Sequence, residues 1–297
     1  MDGILLVDKP AGWTSHDAVN FIRRALNEKR VGHTGTLDPD ATGLLVVLVG
    51  KATRLAKYFG GDTKGYRAAM RLGSETDTQD ASGTVIKECP VPEITREEIL
   101  AAFRDFTGEI TQIPPMYSAV KKDGRALYKS AREGVEVARE PRAATVHSLE
   151  LLGVEGGLIT FDTVCGKGTY IRTLCVDLGV RLGTCAHMET LRRTSVSRYS
   201  VDGAVDISGK PDRDVLAAGV IGMGDILTEM PSVVVTGTGE KWIRDGRRPR
   251  TEDIASLPAG LAAGDSIRVL DSEGELLAVA EATGESDGPI RPRVVVV

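Results

Sequence analysis

With 297 residues, 41% of them hydrophobic and 27% charged, the chain has ordinary globular composition and a length suited to one large domain plus a small one. Its longest apolar run, Leu44 to Val49, has the length of a strand and falls far short of a membrane-spanning helix. A net charge of −5 would argue against a polyanionic partner only if the charge were evenly spread.

In chain order, Met1–Pro10 has no basic region ahead of its apolar stretch. It reads as a first strand, Ile4 to Val7, and not as a signal peptide, which makes the cytoplasm the expected location. A turn at Lys9-Pro10-Ala11-Gly12 leads to a helix from an expected N-cap at Ser15 to about Asn27, with Ala18, Ile22, Ala25 and Leu26 on one face. Gly32 to Gly43 is a loop that runs into Leu44–Val49, a strand apolar enough to be buried on both faces. Tyr66–Leu72 is a further strand, and Thr95-Arg96-Glu97-Glu98 is a capping box opening a helix to Phe106. Residues 121–142, with seven basic and four acidic side chains, read as a projecting helix-bearing insertion. Strands at Thr145–Leu152 and Leu158–Val164 precede a helix from Tyr170 to Leu182 closed by Gly183. Beyond Met230, short β-type runs at Ser232–Val235, Ser266–Leu270, Leu276–Ala280 and Arg293–Val297 alternate with Gly-rich turns, as in a small β-rich domain.

Charge is segregated along this order. Asn20 to Leu72 carries ten Lys/Arg against four Asp/Glu, and Gly166 to Ser200 six against two. From Val201 onward seventeen acids outnumber ten bases. A basic groove upstream is therefore compatible with the acidic total, as are two ordinary solvated faces. Cys89, Cys165, Cys175 and Cys185 show no C-x-x-C spacing and are expected to be buried reduced thiols. Cys185 and His187 alone do not make a zinc site, so no metal is expected.

The densest chemistry lies in Gly32-His33-Thr34-Gly35-Thr36-Leu37-Asp38-Pro39-Asp40-Ala41-Thr42-Gly43. Glycines permit close backbone approach, Pro39 biases Asp38 toward extended backbone, and the strand that follows supplies a rigid base. A decorated Asp-Pro turn would look the same. A phosphate-binding P-loop does not: Gly50-Lys51 is followed by Ala52 and position 45 is Leu. The nucleotidyltransferase signature fails as well, since Gly32-His33-Thr34-Gly35 has one histidine where two are needed.

This segment, with Leu44 to Arg54, resembles the catalytic motif of the TruB family of pseudouridine synthases. Five further blocks follow that family's order: Lys9 to Ser15; Lys64-Gly65-Tyr66 with Leu72-Gly73, Thr76-Asp77-Thr78 and Asp80; Pro114 to Lys121; Gly168 to Leu174; and Leu191-Arg192-Arg193-Thr194. The resemblance implies an α+β catalytic domain on a mixed, mainly antiparallel sheet over residues 1–230, with an RNA-clasping insertion at 121–142. A small β-rich, PUA-like RNA-binding domain would occupy 231–297. It implies isomerisation of uridine 55 in the T-loop of tRNA, on a flipped-out base.

Under the resemblance, Asp38 is the nucleophile, Arg172 the cation that holds it ionised, and Tyr66 the ring that stacks on the base and assists a later proton removal. His33 helps displace the nucleotide, Tyr170 and Leu191 line the pocket, and Lys9 and Pro10 support the loop. Arg244, Arg247, Arg248 and Arg250 are candidate RNA contacts or a surface cluster. No cofactor is implied, since the reaction is redox-neutral; tRNA is the expected partner, with no obligatory protein partner and a monomeric chain. The rival readings are a non-catalytic RNA-binding or RNA-folding module of the same fold, and a synthase for another RNA.

Overall fold

The computed structural model describes all residues except 60–62, 118–120, 123–124, 127–134 and 136. The helix expected in the 121–142 insertion falls outside the described residues. What is described there is a two-residue ladder between β8 (Lys121–Lys122) and β9 (Arg125–Ala126).

The chain opens with β1 (Gly3–Lys9), α1 (Ser15–Ala25), β2 (Val31–His33), β3 (Thr42–Val49) and β4 (Thr63–Leu72). A small hairpin, β5 (Ser74–Thr76) with β6 (Val85–Glu88), precedes α2 (Arg96–Asp105) and β7 (Gly108–Gln112). Then come β10 (Arg142–Glu155), β11 (Leu158–Gly166), α3 (Ile171–Arg181) and β12 (Ala186–Val196). The connection to the C-terminal part contains β13 (Tyr199–Ser200), β14 (Val205–Asp206), α4 (Arg213–Ala218) and β15 (Val220–Gly222).

The main sheet runs β14-β1-β3-β12-β4-β11-β10-β7. Its β1–β14 and β3–β12 pairs are parallel; β1–β3, β12–β4, β4–β11, β11–β10 and β10–β7 are antiparallel. β3 lies near the centre and all but its first residue are buried, as its unbroken apolar sequence requires. β12, a strand that no local pattern marks, joins the two halves by pairing with both β3 and β4. At this junction a Cβ on Gly43 would sit 2.2 Å from the Arg193 carbonyl, and Gly43 has φ +99°, so only glycine fits.

One apolar cluster packs α2 and α3 on the β4–β11 half, another packs α1 and α4 on the β1–β3 half. A third buries the opposite face of β1 and β3 (Ile4, Leu6, Leu44, Val46) against Met223, Ile226, Leu276, Val279 and Val296. The C-terminal sheet is thereby fastened to the back of the main one. It contains β16 (Ser232–Val235), β17 (Ile254–Ser256), β18 (Ser266–Leu270), β19 (Leu276–Ala282) and β20 (Ile290–Val295), in the order β17-β16-β18-β19-β20. A helix that the sequence pattern does not predict, α5 (Gly237–Arg244), packs beside it.

Two local expectations are corrected. Thr14, not Ser15, caps α1: its hydroxyl accepts from the Asp17 amide and Asp17 reaches back to the Thr14 amide. Cys89 and Cys185 are not reduced thiols but form a disulfide, while Cys165 and Cys175 are buried free thiols. Gly73 brings the pair together, donating to the Cys185 carbonyl at 2.7 Å and accepting from the Cys89 amide at 2.9 Å. Ninety-six positions separate the two cysteines, so sequence spacing could not reveal the pairing.

Candidate active site

Asp38 sits in the loop between β2 and β3, and the backbone from Gly35 to Pro39 is held residue by residue. The Arg193 guanidinium donates to the carbonyls of Gly35 at 3.1 Å and Thr36 at 3.4 Å. Ser15, released from capping, is buried and bridges both backbone groups of Leu37: its hydroxyl donates to the carbonyl at 3.1 Å and accepts from the amide at 2.8 Å. The Ala41 amide donates to the Asp38 carbonyl, and the Gly12 amide to that of Pro39. Lys9, fully buried, places its ammonium on the carbonyls of Pro39, Pro10 and Trp13 at 2.7–2.9 Å. Burial pulls the Lys9 amine down to about 8, which still leaves it charged at neutral pH.

Arg172 enters from the first turn of α3 and is 7% exposed. It lies 3.2 Å from the Asp38 carboxylate and 3.4 Å from that of Asp80. It also donates to the carbonyls of Thr78 and Tyr117 at 3.2 and 2.8 Å. A buried guanidinium tied to four oxygens cannot swing away cheaply. The residue before α3 is fixed too: buried Gln112 exchanges two hydrogen bonds with the Tyr170 backbone, at 3.0 and 3.1 Å.

Electrostatics at Asp38 are opposed. Desolvation raises its carboxyl above the ordinary aspartate value, Arg172 pulls it down, and neighbouring Asp80 pushes it up. Tyr66, on β4, stands across from Arg193 on β12 and Thr163 on β11. Burial raises its phenol, and the adjoining Arg193 charge opposes that shift.

Asp38, Tyr66, Tyr170, Leu191 and Arg172 line one recess of about 250 Å³, with Thr36, Leu37, Lys64 and Tyr117 completing much of its wall. It adjoins a wider cleft of about 970 Å³, and the two share Thr36, Leu37, Asp38, Tyr117, Arg172 and Leu191. Asp38 therefore stands at the threshold between the outer cleft and the inner recess. His33 lies in the outer cleft with Thr14, Ser15 and His16, not in the recess. Burial and the Arg193 charge lower its pKa, so its ring is neutral at physiological pH.

Of the site residues expected from the sequence, five of six thus meet in one recess and the sixth borders the adjoining cleft. Sequence reasoning assigned no role to Asp80, Tyr117, Gln112 or Arg193. Asp80 and Arg193 stand inside family-like blocks, so a signal exists; nothing in the sequence marks Gln112, whose partner is 58 residues away. The Arg244–Arg250 cluster is largely engaged within the protein. Arg248 pairs with Glu285 at 3.0 Å, Arg250 with Glu252 at 3.2 Å, and Arg247 lies over the Trp242 ring.

Residues 23–171 match the model of the TruB family pseudouridylate synthase N-terminal domain, and 172–208 that of the tRNA pseudouridylate synthase B C-terminal domain. The chain is 42% identical to the tRNA pseudouridine synthase B of Aromatoleum aromaticum, across 100% of its own length and 93% of the relative's. It is 45% identical to that of Syntrophotalea carbinolica over 86% and 84% of the two chains. Among solved structures, a Cbf5-Nop10-Gar1 complex contains a chain that superposes with TM-score 0.77 at 27% identity, over 99% of this chain and 85% of that one. The ordered motifs, the fold and these matches agree: this chain belongs to the TruB family of pseudouridylate synthases.

Proposed function

We propose that the protein isomerises uridine 55 in the T-loop of tRNA to pseudouridine, with Asp38 as nucleophile. The observation that carries this reading is the Asp38–Arg172 ion pair at the threshold of a recess walled by Tyr66, Tyr170 and Leu191. A carboxylate nucleophile must be ionised and aimed, and a buried arginine beside it favours the ionised form and fixes its direction. The recess is too small to admit a stacked duplex, so a uridine would have to be extruded to reach Asp38. Tyr66 would then replace lost stacking, and its oxygen would assist proton removal late in the reaction, giving up its own proton as it takes one from the base. His33, in the outer cleft, would hold the vacated place. The relatives named tRNA pseudouridine synthase B support tRNA as the substrate.

Residues 1–230 would form the catalytic domain, and 231–297 a PUA-like RNA-binding domain fastened to it through the shared apolar cluster. A monomer with no obligatory protein partner, working in the cytoplasm, fits this reading. Among the described residues no helix is long and apolar enough to cross a membrane.

The test is Asp38→Asn. Turnover on a tRNA transcript should be abolished, while affinity stays within several-fold, since most affinity comes from phosphate contacts. Residual activity above a few per cent would overturn the assignment.

A further inference from the structure

Arg193 is 2% exposed, and among the described residues no carboxylate pairs with it. Its neighbour Arg192 makes the ordinary surface choice, a 2.6 Å pair with Asp8. An unpaired buried cation is costly unless its environment uses the charge. Its hydrogen bonds go to three carbonyls: Leu44 on β3 at 2.6 Å, and Gly35 and Thr36 in the Asp38 loop. Its phenolic neighbour is Tyr66, directly across the β12–β4 ladder.

We propose that Arg193 is a positioning residue for the isomerisation, which clasps the Asp38 loop to the Tyr66 strand and holds an unneutralised positive charge beside the Tyr66 phenol. The inference rests on the reading above, in which Asp38 and Tyr66 act on the same uridine. The planar guanidinium fork reaches the three carbonyls at once, which a lysine ammonium does not reproduce. The charge acts at the late proton transfer. After the uracil has re-bonded to the sugar through carbon 5, the C5–H bond breaks and its electron pair restores the ring. The Tyr66 hydroxyl passes its own proton through solvent to N1 and its oxygen takes the proton from C5, so the phenol ends as it began and substrate and product have the same composition. The phenolate character of the Tyr66 oxygen between giving up its own proton and taking the one from C5 is met by Arg193, which has no carboxylate partner among the described residues.

The test compares Arg193→Lys and Arg193→Met with wild type by single-turnover rate against pH, tRNA affinity and melting temperature. Ionisation of the Tyr66 phenol is read separately, from the absorbance difference between each protein and its Tyr66→Phe counterpart. Arg193→Met should bind tRNA within several-fold of wild type, yet lose about 100-fold or more in single-turnover rate. Its Tyr66 phenol should titrate at least about one pH unit higher. Arg193→Lys, which keeps the charge and loses the fork, should recover the phenol titration but only part of the rate. Equal losses in both variants with an unmoved Tyr66 titration would overturn the proposal and leave a packing role. If Arg193→Met does not fold, Arg193→Lys with wild-type rate would overturn the clasp. Wild-type protein inactive on tRNA would instead defeat the functional reading, and the phenol titration would still judge the contact between Arg193 and Tyr66.

Discussion

Tyr66 separates chemistry from packing at the level of one side chain. Tyr66→Phe keeps the ring, so it should bind tRNA and begin the reaction but release pseudouridine very slowly. Tyr66→Leu should also bind more weakly, by roughly 1–3 kcal/mol of forfeited stacking. If the ring were merely core, both variants would lose thermal stability and Phe would keep near-normal turnover. Melting temperature and single-turnover rate on both decide this. Asp38 supplies a pH prediction. Its folded carboxyl is raised above the ordinary 3.8 because desolvation outweighs Arg172. If Asp38 is the nucleophile, as proposed, it must be ionised, so kcat/KM should fall with decreasing pH through a value above 3.8. For stability the raised value means a contribution present below the unfolded pKa and lost as pH rises through the folded one. With its side chain 41% exposed, solvent screens most of this effect, so Asp38→Asn should melt close to the wild-type temperature at pH 7. A clear loss of stability would contradict that balance.

Within α1, Thr14 and Ser15 divide two jobs that the sequence pattern merges into one. Thr14 caps the helix, and Thr14→Ala should cost about 0.5–2 kcal/mol with little effect on turnover. Ser15 fixes the residue before Asp38, and Ser15→Ala leaves both Leu37 backbone groups without that partner, a cost of about 1–3 kcal/mol. Ser15→Ala should therefore lower turnover as well as melting temperature. Equal turnover in the two variants would show that the loop keeps its geometry without Ser15. The same contrast explains which elements were legible. The α2 capping box and the apolar run of β3 are local signals, and both elements stand where expected. The α5 helix carries glycines at positions 237 and 239, poor helix formers, and is held by packing of Ile243 in the C-terminal core.

Over the whole molecule, the acidic total and the RNA substrate are reconciled if binding runs through a local basic field. The logarithm of tRNA affinity should then fall linearly with the logarithm of salt concentration. Reversing the charge of Lys121, Lys122 and Arg125 together should flatten that slope by roughly 0.9 or less for each phosphate no longer neutralised. An unchanged slope would mean that the insertion does not touch RNA. The C-terminal arginines are less available than their sequence suggests, since salt bridges and the Trp242 ring already engage three of the four.

Local pattern gave the order of most elements, and the resemblance of ordered motifs pointed to the family that the comparisons show and nominated residues that meet in one recess. Alternation, caps, and blocks such as Gly32 to Gly43, whose residue types chemistry constrains, can all be read without knowing what lies across the fold. Tertiary structure decided which groups share a partner. Asp38 and Asp80 converge on Arg172, Cys89 meets Cys185 around Gly73, and Arg193 reaches back to Gly35 across 158 positions. The last of these forms when β12 inserts between β3 and β4, because that one strand carries Arg193 to the loop and to Tyr66 together. Burial then sets the electrostatics, since a carboxylate or a phenol shifts with the water it loses and the charge it gains, and neither is written along the chain.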